Sequence, residues 1–385
     1  MVFTLKIKTV QLHKNLRRDL LRGHPWVYSQ ALKPSAAQTG ELVEVLDQKG
    51  KLIGWGYYSS EGPIGLRMVS LGKRPPKESD LQQKIQESLQ RRSFLNPKVT
   101  NGYRAIQGEG DGLPGLICDL YDSIAVIQFD GEVPERFWRQ YPIIDWISSA
   151  TNCPVVVNKT RGNFKIEKGN LSSSVVEILE NNLRFLVDVE KGQKTGFFFD
   201  QRDNRNYLKD FCSGLEVMNL FSYTGGFSLY AGAGGAKRVL SVDLAKPALD
   251  LAQKSWDLNS FEGHHECLAI DVFEELSRSQ ELWDMVIVDP PSMAHSEKQR
   301  SGALSKYVEV FSMAAKRVKP GGHLVMSSCS SHVSFEDFHG IVTESLSKAS
   351  RRGNVLRVSG QGADHPFPQA CPEMRYLKFY HVRMS

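Results

Sequence analysis

From about residue 181 onward, short apolar runs alternate with amphipathic stretches. The apolar runs are 216–220, 238–243, 266–271, 284–289 and 323–328. Between them, apolar residues recur at helical spacing near 225–233, 246–257, 302–318 and 334–350. Strands alternating with helices predict a parallel, doubly wound α/β sheet. Two further strand-like stretches, 354–359 and 375–384, are expected to close it. The chain before residue 181 has a different pattern. Residues 42–46 and 52–58 alternate as strands do and are joined by the turn Asp47-Gln48-Lys49-Gly50, which predicts a hairpin in a small, mostly β module. The proline-rich stretch 73–77 cannot continue a strand and marks a boundary. Residues 78–95 read as an amphipathic helix, and 124–129 and 154–158 as strands of a small α+β unit. The expected organisation is therefore 1–75, 76–180 and 181–385.

The composition fits that pattern. The chain has 385 residues, 41% apolar and 24% charged, and no apolar run reaches the length of a membrane span, so a soluble globular protein is expected. The N-terminal residues lack the apolar core and cleavage site of a secretion signal, so a cytoplasmic location is expected. Six cysteines are scattered with no Cys-x-x-Cys, which argues against a disulfide scaffold or a zinc site and predicts no metal. The net charge is only +5, but it is uneven. Residues 1–30 hold Lys6, Lys8, Lys14, Arg17, Arg18 and Arg22 against the single acid Asp19. Basic residues beside Trp26 and Tyr28 suit a polyanion such as RNA, and a solvated basic face explains them equally well. Trp26, between a proline and a valine, is expected to pack in the core rather than stack on a base.

In an open α/β sheet, ligands bind beyond the carboxyl ends of the strands. At the end of the first strand of the series comes Asn219-Leu220-Phe221-Ser222-Tyr223-Thr224-Gly225-Gly226-Phe227. Asp243 ends the second strand, with Leu244 after it, and can accept hydrogen bonds from ribose hydroxyls. The third strand ends at Asp271-Val272 and the fourth at Asp289-Pro290-Pro291. Any one of these acids could be a helix cap or turn residue. Their arrival at successive strand ends points to a nucleoside-containing ligand. The loop 223–226 has too few glycines to cradle pyrophosphate. The glycine cluster 232–235 lies after a helix, where glycine is a stop signal. These features favour S-adenosylmethionine, which carries no phosphate, over a dinucleotide.

Cys329 follows the fifth strand on the same rim as Asp289. Taken alone, a strand-end cysteine is more often a buried packing residue. Beside Asp289 it has a chemical use. Carbon 5 of cytosine is too weak a nucleophile to attack a methyl sulfonium directly. A thiolate adding to carbon 6 makes carbon 5 enamine-like, and an acid at ring nitrogen 3 spreads the developing charge. Cys329 would be the nucleophile and Asp289 the contact to nitrogen 3. The other five cysteines read as structural.

Several motifs together resemble the bacterial ribosomal large-subunit methyltransferase I family, cytosine-5 methyltransferases of 23S rRNA, over nearly the whole length. They are Arg22-Gly23-His24-Pro25-Trp26-Val27-Tyr28, the run 109–116, the stretch Lys191 to Arg202, the loop 221–227, Asp289-Pro290-Pro291, Ser328-Cys329-Ser330 and Ala363-Asp364-His365-Pro366. The resemblance implies an N-terminal PUA β-barrel that binds RNA, a small middle domain and a Rossmann-like class I methyltransferase domain. It implies a homodimer, Asp243 on the cofactor ribose, Asp271 near the adenine, and Cys329 as nucleophile. The stretch 191–202 is expected to close over the cofactor through Phe199 and Asp200, with Lys194 and Arg202 contacting its carboxylate or RNA. RNA contacts are expected from Lys14, Arg17, Arg18, Arg22, His24, Arg161 and Lys194. His365 either shapes the base pocket or is a turn residue. One departure stands out: Ser292-Met293 follows the two prolines where the family usually has Lys-Phe or a similar pair. Two alternatives stay open. One is a base N-methyltransferase, which shares the Asp-Pro-Pro segment but has no use for Cys329. The other is a non-catalytic RNA-binding assembly factor.

Overall fold

The computed structural model describes residues 7–160, 162–293 and 299–385. The chain divides into two compact units. One contains 1–96, 102–173 and 364–374, and the other 97–101, 174–363 and 375–385.

The first unit holds two five-stranded sheets. Strands β1 (Thr9–Gln11), β2 (Trp26–Tyr28), β3 (Leu42–Leu46), β4 (Leu52–Tyr58) and β5 (Ile64–Ser70) form the first, in the order β1-β3-β4-β5-β2. Its core is built around Val10, Leu20, Val27, Val43, Val45 and Leu66. The expected hairpin is present: Leu42 pairs with Tyr57, and the Asp47 backbone N–H and the Lys51 carbonyl close the turn at 2.9 Å. The second sheet contains β6 (Gly102–Gln107), β7 (Leu116–Tyr121), β8 (Ile124–Phe129), β9 (Val155–Thr160) and β10 (Asn163–Lys168). Helix α1 (Arg17–Leu21) lies before β2, α2 (Glu78–Gln90) precedes β6, and α3 (Glu132–Trp138) and α4 (Ile143–Thr151) lie between β8 and β9. Helix α2 stops at Gln90 rather than 95, and turns carry the chain to Leu95. The segment 364–374 also belongs to this unit. Its Asp364 accepts from the Arg104 backbone N–H at 3.1 Å, and its main-chain oxygen from buried Arg92 at 2.7 Å. Hydrophobic periodicity carries no sign of this return.

The second unit opens with the hairpin β11 (Val175–Glu180) and β12 (Leu183–Asp188), followed by α5 (Arg202–Lys209). Then come β13 (Glu216–Leu220), α6 (Gly226–Ala233), β14 (Arg238–Asp243), α7 (Lys246–Asn259), β15 (His264–Ala269), α8 (Val272–Arg278), β16 (Trp283–Val288), α9 (Arg300–Ala315), β17 (Val318–Ser328), α10 (Phe335–Lys348), β18 (Gly353–Ser359) and β19 (Lys378–Met384). Seven of these strands form one sheet in the order β15-β14-β13-β16-β17-β19-β18. The first five run parallel, as the alternating pattern predicts, and β19 is antiparallel to both its neighbours. Strand order reverses between β13 and β16, so a crevice opens at the carboxyl ends of these two strands. One face packs through Met218, Leu220, Val286, Val288, Leu324 and Met326 against Tyr307, Phe311 and Phe338 of α9 and α10. The third strand sits two residues earlier than its expected frame, because the short helix α8 claims Asp271 as its N-cap.

Candidate active site

The crevice is a cavity of about 420 Å³ lined entirely by the second unit. That volume lies in the range of small-molecule sites, roughly 300–1,000 Å³. Its floor is the loop after β13, where φ is positive at Phe221 (56°), Tyr223 (49°) and Gly225 (75°). Two non-glycine residues in this strained region mark a loop held open by its surroundings. Asp243 does much of the holding. One carboxylate oxygen accepts from the Tyr223 backbone N–H at 2.8 Å and the other from that of Ala245 at 2.8 Å. Each oxygen keeps a further lone pair for a ligand hydroxyl. Leu244, beside Asp243, is 70% exposed yet lines the cavity, an apolar surface waiting for a flat partner. Asp271 caps α8 through the backbone N–H groups of Phe273 and Glu274, at 2.9 and 3.1 Å, and lines the cavity with Val272.

The far wall carries Asp289, Asp200 and Cys329. Asp289 follows β16 and accepts from Gln201 Nε2 at 3.0 Å. Burial first, and then the neighbouring Asp200 carboxylate, push its pKa up to about 7. Asp200 is buried and accepts from the Tyr376 hydroxyl at 2.8 Å, while Lys194 Nζ lies 3.9 Å from it and over the Phe198 ring at 4.6 Å. Cys329 follows β17 and also faces the cavity. Burial pushes its thiol up, the acids Asp289 and Asp200 add to this, and Lys194 and Lys378 act the other way.

The structure brings most of the expected residues to this one cavity: Lys194, Asp200, Phe221, Ser222, Tyr223, Thr224, Asp243, Leu244, Asp271, Val272, Asp289, Pro290 and Cys329. Four others expected on the cofactor do not line it. Phe199 is buried, its ring edge-on to Phe197. Arg202 is fully enclosed, its Nε 3.2 Å from Asp203, so it reaches neither the cavity nor RNA. Asn219 turns inward and donates to Ser228 at 2.9 Å, the start of a buried chain through Ser241 to His265. Gly225 serves the backbone: a Cβ there would meet the Ala252 Cβ at 2.9 Å, so the loop and α7 close only over glycine.

In the first unit, Lys14, Arg18 and Arg22 are exposed. Arg17 is tied to the hairpin turn by Asp47 at 3.1 Å and by the Leu52 carbonyl at 2.9 Å. His24 pairs with Glu373 at 3.1 Å. Trp26 is only partly buried and donates to Glu109 at 2.7 Å, so it is neither the expected core residue nor a free stacking surface. His365 is buried in this unit against Asp364 at 3.0 Å. Arg161 lies outside the described residues.

Gln201 and Arg205 line the cavity without having been expected. Both precede the strand series, where a rule about strand ends cannot find them. Their spacing of four at the start of a helix is the available signal, because it puts both on one face. Arg205 is held by the buried carboxylate of Glu180 at 2.7 and 2.8 Å.

Among the described residues, the buried hydroxyls of Ser222 and Thr224 line the cavity and have no hydrogen-bond partner. Polar atoms left unsatisfied inside a pocket call for a polar ligand. With Asp243 for hydroxyls and Leu244 and Val272 for an aromatic ring, the set fits S-adenosylmethionine.

The comparisons agree with that fit. A family model described as S-adenosylmethionine-dependent methyltransferase matches residues 144–350, and a PUA-like domain model matches 10–71. A protein from Streptococcus mutans assigned as a SAM-dependent methyltransferase superposes with TM-score 0.84 and 25% identity, covering 98% of this chain and 100% of its own. The fold and the cavity therefore define an S-adenosylmethionine-dependent methyltransferase with an N-terminal PUA-like domain. Ribosomal RNA large subunit methyltransferase I of Aeromonas salmonicida is 33% identical over 97% of this chain and 98% of its own, and that of Vibrio vulnificus is 34% identical over 97% and 99%. A ribosomal RNA large subunit methyltransferase of Deinococcus radiodurans is 34% identical over 94% of each. The chain belongs to the ribosomal RNA large subunit methyltransferase I family.

Proposed function

We propose that this protein methylates carbon 5 of a cytidine in large-subunit ribosomal RNA. The observation that carries the reading is that Cys329 and a carboxyl group with a pKa of about 7, Asp289, open on the same cavity as the cofactor loop. S-adenosylmethionine, when bound, supplies an electrophilic methyl group. Ser222 and Thr224 hold its polar end, Asp243 its ribose, and Leu244, Asp271 and Val272 its adenine. The target base must leave its stack to enter, which favours a single-stranded or extruded nucleotide. The Cys329 thiolate then adds to carbon 6, and Asp289 gives its proton to ring nitrogen 3 as negative charge would develop there. The resulting enamine carries its nucleophilic electron pair on carbon 5. After methyl transfer, which would leave S-adenosylhomocysteine, a water molecule takes the carbon-5 proton, the bond from carbon 6 to sulfur breaks to release the thiolate, and nitrogen 3 returns its proton to Asp289. A carboxyl poised near neutrality can both donate and take back its proton at working pH.

Exposed Lys14, Arg18 and Arg22 in the PUA-like domain provide cations for phosphate contacts. Among the described residues no helix is long and apolar enough to cross a membrane. Action in the cytoplasm and assembly as a homodimer complete the proposal, and sedimentation of the purified protein tests the latter. The chemistry is tested with ribosomal RNA containing 5-fluorocytidine, whose carbon-5 fluorine cannot be removed as a proton. A covalent protein–RNA adduct is expected with the wild type and none with Cys329→Ala. No adduct, with full turnover by Cys329→Ala, replaces this reading with methylation at a base nitrogen, which needs no thiol.

A further inference from the structure

A second cluster of chemically able side chains lies entirely within the first unit. His24, Cys371 and Glu373 are, among the described residues, the one group of three His, Cys or acidic side chains within metal-binding reach, their ligand atoms all within 4.8 Å of one another. Local structure presents each donor. Just past α1, Gly23 takes φ 104°, a conformation glycine favours, and turns the chain. The His24 backbone N–H then donates to the Asp19 carbonyl at 3.0 Å. On the other side, Cys371 and Glu373 flank Pro372 in a tight turn. The Cys371 N–H donates to the Pro368 carbonyl at 2.9 Å and the Met374 N–H to the Cys371 carbonyl at 3.1 Å.

The polar contacts here call for a positive centre. His24 Nδ1 lies 3.0 Å from the Trp26 carbonyl oxygen and 3.3 Å from the Trp26 backbone nitrogen. The shorter contact puts the ring proton on Nδ1. Nε2 then turns its lone pair on Glu373 Oε1, 3.1 Å away. Two acceptors at that distance need a proton or a cation between them. The Cys371 thiol, fully buried and hydrogen-bonded to the same carboxylate, brings a third donor atom from the interior. A proton bridges one pair of these atoms, whereas a metal ion serves all three. Nitrogen, oxygen and sulfur ligands of a tetrahedral zinc ion sit about 3.3–3.6 Å apart. The His24–Glu373 pair is already near that spacing. An imidazole that donates its other N–H to a backbone carbonyl is also the usual orientation of a metal-bound histidine.

We propose that His24, Cys371 and Glu373 form a zinc site, with water in the fourth position on the exposed side of Glu373. On binding, the S–H bond of Cys371 breaks, its electron pair forms the sulfur–zinc bond, and the proton leaves to solvent. No atom changes oxidation state. Imidazole and thiolate ligands select zinc over the hard cations magnesium and calcium, which prefer oxygen. The site is structural. It ties the loop that follows the exposed cations Arg18 and Arg22 to a turn 349 residues further along the chain. It is also independent of the chemistry at Cys329, which lies in the other unit. A zinc site built this way escapes a rule based on Cys-x-x-Cys, because its donors come from two distant segments.

The test uses the full chain, stripped of metal with EDTA and titrated with cobalt(II) chloride as a spectroscopic stand-in for zinc. One equivalent should bind and give thiolate-to-cobalt charge-transfer absorption, which zinc chloride then abolishes by displacement. Cys371→Ser should lose that absorption, and Cys329→Ser should keep it. His24→Gln and Glu373→Gln should each bind cobalt at least about tenfold more weakly, because each removes a ligand. Neither of these two side chains is buried, so both variants keep the test decisive if Cys371→Ser does not fold. Zinc chloride should raise the melting temperature of the wild type and leave that of the variants unchanged. No stoichiometric cobalt binding at micromolar concentrations overturns the proposal. So does charge-transfer absorption that survives in Cys371→Ser, or an affinity unchanged in both His24→Gln and Glu373→Gln.

Discussion

Replacing Asp289 by Asn should make the protein more stable and less active, by amounts the site geometry sets. In the folded chain the Asp289 pKa rises from 3.8 to about 7, chiefly through burial and then through Asp200. Between those two values the folded state keeps a proton that the unfolded chain has lost. The stabilisation from this group is complete below 3.8, the unfolded value, and is lost as pH rises through about 7. A rise of that size corresponds to about 4 kcal/mol. Asn has nearly the same shape, carries no charge, and keeps an oxygen to accept from Gln201, which bonds Asp289 at 3.0 Å. Urea unfolding of the ligand-free protein at a series of pH values measures the difference. The stability of Asp289→Asn relative to wild type should grow by about 1.4 kcal/mol per pH unit through the acidic range and level off above neutrality. The same variant cannot protonate nitrogen 3 and should lose about 10²-fold or more in turnover. A stability difference that does not change with pH would refute the account of the buried carboxyl. Wild-type turnover in this variant would remove its role as acid.

Three further predictions test the scaffold around the site. Asp243→Ala removes the acceptor that holds the Tyr223 and Ala245 backbone N–H groups and, on the proposed reading, the ribose contact, so calorimetry should show S-adenosylmethionine binding weakened at least about tenfold. An unchanged Kd would contradict the assignment. Gly225→Ala forces a side chain at φ 75° to within 2.9 Å of the Ala252 Cβ, and thermal melting should show a loss of about 1–3 kcal/mol. Arg205→Met leaves Glu180 buried without its cation and should cost about 3–5 kcal/mol in urea unfolding, with the double variant Arg205→Met/Glu180→Gln recovering part of it.

The strand ends were readable because a buried parallel strand must stop where its apolar run stops. The residue at or just after that end, whether Asp243 or Asp289, is then delivered to the rim by topology alone. The direction of a side chain at a strand end was less readable. Asn219 sits on the last turn of that logic and still points inward, because Ser228 and Ser241 offer it a partner inside the sheet. The motif around Arg202 points to a ligand contact, yet the short helix it opens buries it. Gln201, just ahead of α5, and Arg205, within it, reach the cavity before the alternating series begins. None of these placements follows from periodicity, since each depends on which tertiary neighbour offers a partner.

The departure after the two prolines can be understood in the same terms. Ser292 takes no part in stacking. Its hydroxyl lies 2.9 Å from that of Ser330, and the Met293 backbone N–H approaches the Tyr307 hydroxyl at 3.4 Å. Tyr307 also bonds Ser328 and Ser330. The Asp-Pro-Pro segment and the Cys329 segment are thus joined through one buried phenol, and a longer side chain than serine at 292 would have to displace the Ser292–Ser330 contact. In this chain the acid and the thiol are held by a shared hydroxyl network rather than by a base-stacking ring. On the proposed reading, the incoming base would be oriented by other walls of the cavity, where Phe198 and Leu377 supply apolar surface.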